Sequence, residues 1–264
     1  MSKLLSNLRE NAQRGSKPRC HFMAHGTNEA VAARLSRIAA PFAHVRPNDP
    51  WMPVGFKDPT EPMLHSAARL LPNEVRQELC RWWLAVPHLA TRTPNWDIVS
   101  ACTINNIPGL LLVEAKAHDE ELRIEEKGKT PPTIEASENS RLNHLKIGEA
   151  IQEASNALTA ATQLPWGLSR DSHYQMANRF AWSWKLTERG IPVVLVYLGF
   201  LEASEMNDRG TPFSSAEAWE DCVRGHSKGF VPQSIWGTPM TVNSVPLIPL
   251  IRSQKRELTE EIEA

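Results

Sequence analysis

The chain has no run of about 18 apolar residues, and its opening stretch MSKLLSNLRENAQRGSKPR carries no apolar segment. The sequence therefore predicts neither a membrane span nor secretion. Cysteine is scarce. Cys20, Cys80, Cys102 and Cys222 stand far apart and form no CxxC pair, so they are expected to be reduced thiols in a cytoplasmic protein. Charge of one sign is lacking too: 29 Lys and Arg face 30 Asp and Glu. Without a broad cationic field, any attraction to nucleic acid must come from a local patch. A Gly-rich phosphate loop, a GxSxG elbow, an HExxH helix, an internal repeat and a low-complexity tract are all missing, which removes the commonest phosphate-loop, serine-hydrolase and zinc-protease chemistries.

What is present is an ordinary globular composition, 41% hydrophobic over 264 residues, long enough for one domain with a sizeable core. Helical spacing places Val31, Leu35 and Ile38 on one stripe of residues 28–40. A Pro-rich connector, 41–62, is expected to hold no regular element. Val75, Leu79, Trp82, Trp83 and Val86 then make a wide apolar helix face from Asn73. Two strand-like runs, 96–104 and 109–118, flank Asn105-Asn106. Asn tolerates positive φ, so this pair signals a hairpin. Residues 119–139 are charged and aperiodic and are expected to be a loop. Helical patterns cover 140–163 and 172–188, and the apolar run 191–201 predicts a central strand covered on both faces. A short helix over 216–223, a strand over 245–251 whose prolines place it at a sheet edge, and a charged tail complete the chain.

The run Gly109 to Val113 has the character of a buried strand, yet Glu114, Lys116 and His118 follow it in phase on one face. Isolated charges inside a core cost several kcal/mol, so these need partners. If Ile104 pairs with Ile107, Asp97 stands directly opposite Glu114; a four-residue turn would set it opposite Lys116, still on the same face. Two carboxylates at about 5 Å repel unless a cation lies between them. A divalent metal suits the pair, because Mg²⁺ is commonly held by one or two carboxylates with water and phosphate oxygens. Lys116 beside it would stabilise charge that develops in a displacement.

Asp97 followed by Glu114-Ala115-Lys116 at the end of an apolar strand resembles the PD-(D/E)XK nuclease superfamily. The resemblance covers about 73–201, with an N-terminal helical and Pro-rich extension, 1–72, and a C-terminal extension, 202–264. Proline stands three positions before the aspartate here, as Pro94. The resemblance implies an α/β protein with a restriction-endonuclease-like core, a mixed sheet flanked by helices. It also implies hydrolysis of nucleic-acid phosphodiesters, DNA foremost, with Mg²⁺ as cofactor and Mn²⁺ able to substitute. Asp97 and Glu114 would be metal ligands and Lys116 the catalytic cation. Gln175, on the helix before the central strand, would position substrate or metal-bound water, and Arg179 one turn on would contact phosphate. Glu78, with Glu74 behind it, stands where some members bring a further glutamate to the metal. A homodimer is among the assemblies the resemblance allows, and a non-catalytic member that binds nucleic acid or protein is the alternative.

Other candidates have plainer explanations. Glu125-Glu126-Lys127 repeats the ExK triplet within a charged loop, where a solvated surface is expected. His118 reads as a strand-end residue at the rim. Cys20-His21 with His25 and His44 lacks zinc-ligand spacing. The polar stripe Gln175, Asn178, Arg179 and Trp182 is equally compatible with a site and with a solvated helix face. The nine tryptophans are expected in the core, with one or two free to stack on bases.

Overall fold

A computed structural model describes residues 3–87, 93–125 and 127–258. Glu126 of the second triplet and 259–264 of the expected tail lie outside the described residues. The helices and strands run α1 (Ser16–Met23), α2 (Asn28–Ala39), β1 (Ala43–His44), β2 (Trp51–Met52), α3 (Asn73–Trp83), β3 (Ile98–Ile104), β4 (Ile107–Lys116), α4 (Glu120–Glu125), α5 (Glu138–Thr162), α6 (Tyr174–Glu188), β5 (Val193–Leu201), α7 (Ala216–Ser227), β6 (Met240–Val242) and β7 (Val245–Lys255). The architecture is α/β, with a mixed seven-stranded sheet flanked by helices. Strand order is β1-β3-β4-β5-β7-β6, and β2 also pairs with β3.

The hairpin forms as its turn residues dictate. Asn105 and Asn106 adopt φ of 49° and 64°, and Ile104 pairs with Ile107. Register then runs unbroken to Ile98 opposite Val113. β5, the β-branched run, lies between β4 and β7 and is parallel to both. Alternation divides β4 between two cores. Leu110 and Leu112 belong to the one that includes α3, α5, α6 and α7 residues, while Leu111, Val113, Ala115 and Ala117 belong to the one closed by α1 and α2. Each fully buried Leu or Val contributes roughly 2 kcal/mol of transfer free energy. The N-terminal segment is thus the second helical layer of the sheet.

Several sequence expectations are corrected. The connector 41–62 contributes β1 and β2, which pair in tandem along the outer edge of β3. Residues 120–125 of the expected loop are helical. β7 is not an edge strand, since it lies between β5 and β6 and continues to Lys255, into the expected tail. Pro249 fits because β6 is only three residues long. The Pro249 carbonyl accepts from Gly237 N at 2.8 Å on the side away from β5, so the missing N–H also points beyond the end of β6. Among the described residues, no helix is long and apolar enough to cross a membrane.

Candidate functional site

Continuing the hairpin register by one step sets Asp97 opposite Glu114, on the face of β4 that α6 covers. Asp97 is half-buried, whereas Glu114 and Lys116 are 1% and 5% exposed. Asp97 Oδ2 accepts from Ala115 N at 2.7 Å, which ties the aspartate to the backbone between the two charged residues of the opposing strand. Glu114 is the hub. Its Oε1 accepts from Lys116 Nζ and Gln175 Nε2, and its Oε2 accepts from Arg179 Nε at 2.6 Å, with Arg179 Nη2 at ion-pair distance, also 2.6 Å. Arg179 Nη2 also donates to the Asn95 carbonyl at 2.6 Å, and the guanidinium lies 4.5 Å from the centroid of the Trp96 ring.

This geometry follows from local structure. Gln175 and Arg179 are one helical turn apart on α6 and therefore reach the same carboxylate. On β5, Tyr197 stands beside Glu114 and Gly199 beside Lys116. The indole of Trp219 rests on Gly199 so closely that a Cβ there would lie 2.5 Å from its ring. A tryptophan wall thus closes the sheet next to the lysine. Trp96 and Trp219 are both fully buried, and Asp97 is the most accessible of the three charged residues on the hairpin.

The two carboxyls are electrostatically unlike. Burial, followed by the charge of Glu114, pushes Asp97 up to about 8 despite help from Lys116 and the Ala115 N–H. Burial also acts to raise Glu114, but Arg179 and Lys116 outweigh it and hold that carboxyl below its ordinary value. Asp97 makes no ion pair among the described residues. With all four groups ionised, Asp97, Glu114, Lys116 and Arg179 sum to zero. A divalent cation entering between the carboxyls would leave two positive charges, which phosphate oxygens are suited to offset.

Donor chemistry fits Mg²⁺ on these terms: hard oxygen ligands, one facing carboxyl without a cation, and the two-carboxylate minimum. Among the described residues, no group of three or more His, Cys, Asp or Glu is placed to hold a metal. The pair is a half-site that water and substrate would have to complete. Glu114 already receives three N–H donors and the ion-pair contact of Arg179 Nη2, so a metal reaching it must compete with groups already bound.

Not every expected residue joins the cluster. Glu78 pairs with Arg189 just beyond the C-terminal end of α6, while Gln175 and Arg179 meet Glu114 near its start. At 1.5 Å per residue, the ten positions from Arg179 to Arg189 span about 15 Å, so Glu78 is not a ligand of this pair. Glu74 is exposed on the first turn of α3. Of the two readings open for the polar stripe, the structure has Arg179 turned from solvent: Asn178, Arg179 and Trp182 are buried and Gln175 is partly buried, because α6 has sheet on one side and α5 on another. All nine tryptophans are buried. His118 is 5% exposed and lines a cavity of about 910 Å³ with Glu121, Arg14 and Arg209 where β4 leaves the core. His21 is buried, with no hydrogen bond to either ring nitrogen among the described residues, and has no metal-ligand cluster around it.

No sequence pattern singles out Asn95, whose carbonyl holds Arg179, or Glu61, whose Oε2 accepts from Asn95 Nδ2 at 3.3 Å. Backbone pairing of Met63 with Asn95 brings Glu61 there, a contact no local pattern announces. Comparison with known proteins returned no matching family model, no matching curated protein and no matching solved structure.

Proposed function

We propose that this protein is a metal-dependent nuclease that hydrolyses phosphodiester bonds of nucleic acid, DNA foremost, on a restriction-endonuclease-like core. One observation carries the proposal: Asp97 and Glu114 face each other across a hairpin, with the Lys116 ammonium beside them. The chain order is similar as well, with helix α3, the β3–β4 hairpin, further helices and the parallel strand β5, although α4, α5 and α6 stand where the resemblance implies a single helix. Asp97 and Glu114 would hold Mg²⁺ or Mn²⁺. A bound ion of this kind lowers the pKa of its water and polarises a phosphoryl oxygen. Lys116 orients the attacking water and offsets charge on the phosphorane-like transition state. Gln175 and Arg179 fix the Glu114 carboxylate from above, which keeps its orientation independent of solvent.

The pairing of Glu114 with both Lys116 and Arg179 favours a second reading, a non-catalytic member that retains the cluster as a buried electrostatic clamp. Digestion separates the two. Linear, circular and single-stranded DNA and RNA incubated with Mn²⁺ should be cut by the parent protein and not by Lys116→Ala. Cutting by both to the same extent, or by neither, would overturn the nuclease assignment. Carboxylate-independent Mn²⁺ binding in calorimetry would point to the clamp.

A further inference from the structure

Beside the start of α6, a short strap crosses the loop that leads into the helix. Lys127 bridges to Ser172, and Lys129 N donates to the Arg170 carbonyl at 2.8 Å. Gly128 permits the crossing, because a Cβ at that position would lie 2.2 Å from the Asp171 carbonyl oxygen. The strap sets the Lys129 ammonium 4.9 Å from the centroid of the Tyr174 ring, one residue before the Gln175 that holds Glu114.

Lys129 is half-buried, and its charged surroundings are unusual. Arg170 meets Asp171 through two hydrogen bonds of 2.8 and 3.0 Å and gives a third to the His144 carbonyl, so acid and guanidinium neutralise each other. No carboxylate pairs with Lys129 among the described residues, and its nearest charged influence is the like-charged Arg170. Burial, then Arg170, holds the Lys129 ammonium below its ordinary pKa. A cation kept half-desolvated over an aromatic ring, with no anion paired to it among the described residues, is a place an external anion can fill.

We propose that the Lys129 notch binds a backbone phosphate of the nucleic-acid strand next to the one lying over Asp97 and Glu114. The inference rests on the nuclease reading and names how that site holds its substrate. With overall charge near zero, the chain needs such a local contact. The contact is to backbone, so it is independent of base sequence.

The test is fluorescence anisotropy of a labelled duplex oligonucleotide in EDTA, across a salt series, with the full chain. Lys129→Ala should bind about eightfold more weakly at 0.1 M monovalent salt, and the slope of log K against log salt should fall by about 0.9, the signature of one lost phosphate contact. Lys129→Arg should restore both. Lys57→Ala, an exposed lysine on the α1 side of the sheet, should change neither. An unchanged slope in Lys129→Ala while the parent binds would overturn the notch and leave the nuclease reading standing. No oligonucleotide binding by the parent would instead count against that reading itself. Calorimetry with inorganic phosphate is the second arm: loss of its binding in Lys129→Ala, with oligonucleotide binding intact, would overturn the strand assignment and leave a free-anion site.

Discussion

The two ends of α6 carry the same kinds of ion pair in opposite surroundings. Near its start, Arg179 meets a glutamate that is 1% exposed, shared with Lys116 and set against Asp97. At its far end, Arg189 meets Glu78 and Glu188 with side chains roughly a third exposed, and Lys185 bridges Glu153 and Glu188 while lying over Trp82 and Trp184. Solvent screens the Arg189 pairs and competes for their hydrogen bonds, so they should be worth little, whereas Lys185 is itself buried and only its carboxylate partners are accessible. The first group has lost its water. There each charge depends on the others, and removing one strands the rest.

Three substitutions test that contrast, beginning with the largest effect. Glu114→Gln leaves Lys116 and Arg179 buried without their anion and should destabilise the fold by about 3–5 kcal/mol in urea unfolding. A loss below about 1 kcal/mol would mean that the buried end behaves like the exposed one.

Asp97→Asn should do the reverse. Asn can still accept from Ala115 N, and it removes a carboxyl whose ionisation the fold opposes. Because Asp97 is raised from 3.8 to about 8, the folded protein keeps a proton that the unfolded chain releases across that range. Stability therefore falls as pH rises from about 4 to 8, by at most about 1.4 kcal/mol per pH unit. His21 and His226 act oppositely. Burial, aided by Lys17 at His21 and by His173 and Lys116 at His226, lowers them from 6.5 to about 4, so they reduce stability as pH falls through that window. The metal-free parent should be most stable near pH 6.5, whereas Asp97→Asn should hold a plateau above it and lose all metal-dependent cleavage. Thermal unfolding from pH 5 to 9 would show this, and a parallel decline of both proteins above pH 6.5 would contradict the assigned shift.

The smallest change is expected from Glu78→Ala. Losing an exposed partner of Arg189 should cost no more than about 1 kcal/mol and leave Mn²⁺-dependent cleavage unchanged. Loss of cleavage would bring Glu78 back to the site from which its pairing with Arg189 removes it.

Much of the cluster was legible because it depends on short periods. The two-residue alternation of β4, the tolerance of Asn-Asn for positive φ and the i, i+4 spacing of Gln175 and Arg179 are local, and all three appear in the fold. Arg179 shows where local reading stops. Its helix face was visible, but whether that face met solvent or Glu114 depended on α5 covering α6 from outside. The same applies to β7, whose prolines resembled those of an edge strand until the shortness of β6 left room for Pro249.

By itself the sequence determined the hairpin and the shared face of Asp97, Glu114 and Lys116, because turn chemistry and side-chain alternation act over a few residues, while it left two registers open. Only the tertiary structure decided that α1 and α2 close the opposite face, that Glu114 accepts from Lys116, Gln175 and Arg179 while Asp97 accepts from one backbone N–H, and that Lys129 crosses to the start of α6. Those are contacts between residues distant in the chain. Burial creates them, and burial is a property of the assembled layers.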